Sequence, residues 1–121
     1  MNIVSKLLTY QNQIKILHWQ TTSYAEHKTL DGLFGELSSH IDEFVETFMG
    51  KYGRILAQNN FNIILQNYSS LAPMDLMNQM VVYLSVDLPT MLDTQKDTDL
   101  LNIRDEILAS VNKTKYLLTL K

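Results

Sequence analysis

The run AEHKTLDGLFGELSSHIDEFVETFMGK, residues 25–51, decides how the rest of the chain is read. Leu30, Leu33, Phe34, Leu37, Ile41, Phe44, Val45 and Phe48 recur in steps of three and four, the stripe of an α-helix buried along one side. Gly50 and Gly53 follow, where a helix end is commonly closed by a residue free to adopt positive φ. The pattern predicts a helix from Ala25 to Lys51.

A second stripe runs beside that core face. At about 100° per residue, His27, Asp31, Asp42 and Glu46 fall within one sector of roughly 100°. His27 with Asp31, and Asp42 with Glu46, are each four apart, the spacing at which two side chains of one helix reach a common ion. At about 1.5 Å of rise per residue, however, Asp31 and Asp42 stand roughly 16 Å apart along the axis, so one copy cannot close both pairs around one metal. Two copies packed antiparallel about a two-fold axis near Glu36 and Leu37 would set each pair against its complement in the other chain, giving two equivalent sites. Gly32, Gly35, Ser38 and Ser39 lie on or beside this flank, and small residues there admit a second backbone. The expectation is a homodimer that shares its metal sites.

Working outward, Val4, Leu7, Leu8, Ile14 and Leu17 predict a first helix over about residues 3–21, ending at Thr21, Thr22 and Ser23. His18, near its end, is placed to complete each site. Beyond the long helix, the Asn-rich Gln58–Asn62 stretch and the Tyr68, Ser69, Ser70 group interrupt the apolar residues Phe61, Ile63, Ile64 and Leu65, which reads as a connector over 54–72 with one short helix. Pro73 suits a first helical position, and Met77, Met80, Val81, Leu84 and Leu88 mark a third helix that Pro89 kinks or ends. A fourth begins around Asp97–Asp99, where acidic and hydroxyl side chains suit capping. Its stripe is Leu100, Ile103, Ile107, Val111, Leu117 and Leu118, with a loose step between 111 and 117. The expected fold class is all-α, an antiparallel four-helix bundle with a connector between helices two and three.

The 121 residues suit a single domain, 1–121. Cysteine is absent, so a metal site would draw on His, Asp and Glu, a donor set that favours iron, manganese or zinc over soft metals. A formal charge of -3 offers no footprint for neutralising phosphates, so nucleic acid is an unlikely partner. No apolar stretch has the length of a membrane span, and the first residues lack the regions of a signal peptide. A cytoplasmic location is expected.

His18-Trp19, His27, Asp31-Gly32, Asp42 and Glu46 together resemble the ferroxidase signature of the Dps proteins, the mini-ferritins of the ferritin-like superfamily. The resemblance covers roughly residues 14–49. It implies a ferritin-like bundle in which His18, His27 and Asp31 of one subunit meet Asp42 and Glu46 of its dimer mate. It further implies iron as the metal, Fe(II) oxidised by hydrogen peroxide or oxygen, and ferric mineral stored inside a dodecameric shell, which protects against hydroxyl radicals. The segment between His18 and His27 is shorter than is usual in that family, and the family's basic N-terminal tail has no counterpart, so DNA binding is not carried over. The alternative is a non-enzymatic helical-bundle assembly or virion structural protein that has lost the metal site.

Other groupings carry less. Glu36 and His40 are also four apart, but lie across the wheel from the site stripe and read as surface. Asp105 and Glu106 lack the following His that a Glu-x-x-His metal element requires. Met74, Met77 and Met80 fit a flexible core stripe, and Trp19 reads as core or interface packing.

Overall fold

The computed structural model describes residues 2–58 and 61–121; Met1, and Asn59 and Asn60 of the Asn-rich stretch, lie outside the described residues. All regular structure among the described residues is helical: α1 (Ile3–Gln20), α2 (Tyr24–Tyr52), α3 (Pro73–Val82), a π-helical turn (Tyr83–Asp87) that continues α3 into the single turn α4 (Leu88–Thr90), and α5 (Thr98–Leu117). None of these helices is long and apolar enough to cross a membrane.

Local chemistry sets the boundaries. The Asn2 side chain accepts from the backbone N–H groups of Val4 and Ser5 at the start of α1, and Ser23 accepts from Glu26 N–H at the start of α2, so each helix opens on a side chain that satisfies otherwise unpaired donors. Only Thr21, Thr22 and Ser23 separate the two. Gly53 ends α2 at φ 90°, a conformation that costs glycine little. Leu30, Leu33, Leu37, Ile41 and Phe44 of α2 are buried against Leu7, Ile14 and Leu17 of α1 and Leu100, Ile107 and Val111 of α5. Burying such a side chain contributes about 1.5–3 kcal/mol each.

Contacts along the helices give their directions. Gln11 with Ser38, then His18 with His27, set α1 antiparallel to α2; Lys51 with Asp99, then Glu36 with Lys113, set α5 antiparallel to α2. Between them the connector leaves the Tyr52 end of α2 and returns to its start, where the Tyr68 hydroxyl donates to Glu26. Hence α3 descends parallel to α2, and the 91–97 turn sends α5 back up.

Three expectations change. The described part of the connector contains no helix, only a turn at 68–70. Ile63, Ile64 and Leu65 are exposed, so their apolar run has no core to face, and the segment is held instead by Gln13, whose buried amide donates to Gln66 O and accepts from Gln66 N–H. The third helix ends one residue past Pro89, as expected, but not as a plain α-helix: ahead of the proline the chain widens into the π turn, in which Leu88 N–H reaches Tyr83 O. Asp97 occupies the cap position of α5 without capping it. Its carboxylate is turned inward, 1% exposed, to accept from the Tyr52 hydroxyl and Asp93 N–H, with Lys51 at 3.4 Å. The loose step in the α5 stripe is filled by Thr114, buried because its hydroxyl is paired with Ser110 O.

Candidate metal centre

The three-residue turn brings the last turn of α1 against the first turn of α2, and the two histidines lock there. His18 Nδ1 lies 2.7 Å from His27 O, and His27 Nδ1 lies 2.9 Å from His18 O. A carbonyl only accepts, so each Nδ1 carries the proton that it donates. In the neutral rings Nε2 is then left with its lone pair. The rings stack, 3.8 Å between centroids at 16°, and His18 is 6% exposed. Fixing one ring nitrogen through a backbone carbonyl is how metal-binding imidazoles are oriented. The short segment between them therefore draws His18 onto His27 rather than out of reach.

Asp31 lies beside His18 at this end. Its carboxylate oxygen is 3.9 Å from His18 Nε2 and 3.8 Å from Lys15 Nζ. Lys15 also stands 4.4 Å from the Phe34 ring centroid and 5.8 Å from that of Trp19. The sequence reading missed this lysine, although its spacing to His18 and Trp19 is helical. Trp19 is exposed and so is no part of this chain's core. Glu26 braces the turn by accepting from the Thr21 and Tyr68 hydroxyls.

Asp42 and Glu46 lie lower on α2, both exposed. Hydrogen bonding of its protonated form to Asp42, together with the charge of Asp42, raises the Glu46 carboxyl above its ordinary value, because a neighbouring carboxylate disfavours the second negative charge. Among the described residues of one chain, no three His, Asp or Glu side chains are gathered so as to hold a metal ion. His18, His27 and Asp31 do not by themselves form such a group, and Asp42 and Glu46 lie apart from them, as the axial rise along α2 requires.

Between the two sets α1 and α2 form a groove of about 630 Å³, with Val4, Leu8 and Val45 in its walls and Gly35, Ser38 and Asp42 along it. A Cβ at Gly35 would meet nothing within 4 Å, so no packing within the chain calls for glycine there. Glu36 and His40 are half-buried rather than plain surface: Glu36 pairs with Lys113, which lowers its carboxyl, and His40 faces a shallow hollow with Glu43 and Glu106. Met77 and Met80 are core and Met74 is half-buried.

A family described as a family of unknown function, DUF5856, matches residues 18–118, a span that holds all five candidate ligands. Over 48 residues the chain is 42% identical to the uncharacterized 14.6 kDa protein in the mobD-ri intergenic region of Enterobacteria phage T4, an alignment covering 40% of this chain and 38% of that protein. No solved structure matches.

Proposed function

Since the chain belongs to DUF5856, whose description names no activity, we propose from its residues that it is a ferroxidase and iron-sequestering protein of the Dps-type, ferritin-like kind. The observation that carries this reading is the reciprocal histidine lock, which fixes both imidazoles through Nδ1 and sets His18 Nε2 3.9 Å from Asp31. The connectivity supports it: the two helix pairs are joined by one long crossover, the arrangement of ferritin-like bundles. In the proposed dimer His18, His27 and Asp31 of one chain face Asp42 and Glu46 of the other across the small-residue groove.

Fe(II) is the substrate. Imidazole nitrogen and carboxylate oxygen form the mixed shell suited to it, and the carboxylates offset the charge gained on oxidation. Two Fe(II) ions each give one electron to hydrogen peroxide, whose O–O bond breaks, and the ferric product hydrolyses with release of protons. Binding needs Asp42 and Glu46 deprotonated, so metal and protons compete for this pair.

The decisive experiment measures anaerobic Fe(II) binding and peroxide-driven oxidation in the parent, in His27→Ala and Glu46→Ala, and in a mixed dimer of parent with the doubly substituted chain. Saturable binding in the parent, lost in either single variant, is expected; loss of an oriented ligand lowers affinity by about 10- to 100-fold or more. In the mixed dimer each end lacks part of its set, so neither site is whole. A parent that binds no Fe(II), or variants that oxidise it at the parent's rate, would leave the non-enzymatic bundle assembly as the reading.

A further inference from the structure

Away from the histidines, α1 and the α3–π segment flank a cleft of about 470 Å³, within the range of roughly 300–1,000 Å³ that small-molecule sites occupy. Lys6 and Tyr10, one turn apart on α1, form one wall; Gln79, Val82, Tyr83 and Asp87 form the other. Tyr83 is 4% exposed, and its hydroxyl has no hydrogen-bond partner among the described residues. A buried hydroxyl left unpaired loses its hydration with nothing in return, and such a group calls for a partner from outside the chain.

The charges around it, those of Lys6 and Asp87, are not neutralised by ion pairs among the described residues. Lys6 Nζ stands 4.9 Å from the Tyr10 ring centroid and 5.7 Å from that of Tyr83. Burial, with the field of Asp87, pushes the Tyr10 hydroxyl up to about 12 and raises that of Tyr83 as well, so both stay donors at neutral pH. The π turn ends at Asp87, and such turns are frequent at functional sites. One cleft thus presents a cation, an anion, two hydroxyl donors and the apolar flank of Val82.

We propose that this cleft binds a small zwitterion, a free α-amino acid with an apolar side chain. Lys6 and the Tyr83 hydroxyl take its carboxylate, Asp87 takes its ammonium group, and its side chain lies along Val82. Lys6 is the movable part. Its flexible arm leaves the ring faces for the ligand carboxylate. A dicarboxylate would set its second charge against Asp87, and a simple amine would leave Lys6 unmatched.

The test uses the intact protein with leucine and phenylalanine as probes, beside 3-methylbutylamine and phenethylamine, which lack the carboxylate, and 4-methylpentanoate and 3-phenylpropanoate, which lack the amine. Calorimetry and amide-shift mapping should show saturable binding of at least one amino acid at the cleft, with its matched amine and acid about tenfold weaker or more. Tyr83→Phe should weaken binding about tenfold while the ligand-free variant melts at the parent temperature or above, because it removes an unpaired polar atom. Absence of saturable binding by both amino acids overturns the proposal. So does equal binding by Tyr83→Phe, and so does a lower melting temperature for that variant without ligand, which would show the hydroxyl already paired by water. None of these outcomes depends on iron.

Discussion

Glu46 and Asp42 are both open to solvent, yet they do not behave as two independent carboxylates. The hydrogen bond between them raises Glu46, since the protonated carboxyl donates to its ionised neighbour and each charge disfavours the other. Replacing Asp42 by Asn removes the charge and should return the Glu46 midpoint downward to that of an ordinary glutamate, read from carboxyl carbon shifts in an NMR titration; an unmoved midpoint would mean the pair is not coupled. In the parent, Fe(II) affinity should accordingly rise as pH climbs through the raised Glu46 value. The histidines act differently, because both Nδ1 protons are committed to backbone carbonyls. This commitment was not legible in the sequence. Spacing brought His27, Asp31, Asp42 and Glu46 onto one stripe, but the contact of His18 with His27 depends on how tightly Thr21–Ser23 turn, and no periodicity reports that.

The third helix shows how an element absorbs a residue hostile to it. In the π turn Leu88 N–H bonds Tyr83 O, and the next bond of that series would run from residue 89 to Leu84 O. Pro89 has no N–H to give. Arg104 supplies the missing donor from α5, its Nη1 2.8 Å from Leu84 O. Arg104→Ala should therefore cost about 1–3 kcal/mol in urea unfolding, the price of an unpaired buried carbonyl. In a Pro89→Ala background the loss should shrink, because alanine restores an N–H within reach; equal losses in both backgrounds would refute the compensation. The sequence marked Pro89 as an interruption, but the remedy lay fifteen residues away on another helix, beyond any local pattern. The same holds for Asp97, whose position suits a cap while Tyr52, a partner brought near only by folding, draws its carboxylate inward.

At the scale of the molecule, the long helices were legible because Leu30 through Phe48 bury one continuous face, whereas the connector was not, since Ile63, Ile64 and Leu65 remain exposed and the segment is held by polar contacts of Gln13, Gln20 and Glu26 from the first two helices. The outer flank of α2 bears on assembly. Gly35 has open space around its Cβ position, so Gly35→Leu should leave the isolated chain as helical as the parent and up to about 1 kcal/mol more stable, leucine being the better helix former. The proposed dimer should nonetheless weaken. Sedimentation against far-UV circular dichroism separates the two effects, and an unchanged association constant would remove that flank as the interface. The crossover has a kinetic consequence of its own. Gln66 exchanges both backbone hydrogen bonds with a side chain of α1 rather than with another strand, so its amide is shielded from solvent deuterium only while α1 is seated. During folding, the hairpin of α1 and α2 can form from contacts close in sequence, but the crossover must close a long loop before Gln13 rewards it. Protection at Gln66 should thus arrive late, marking the moment at which the two helix pairs become one structure.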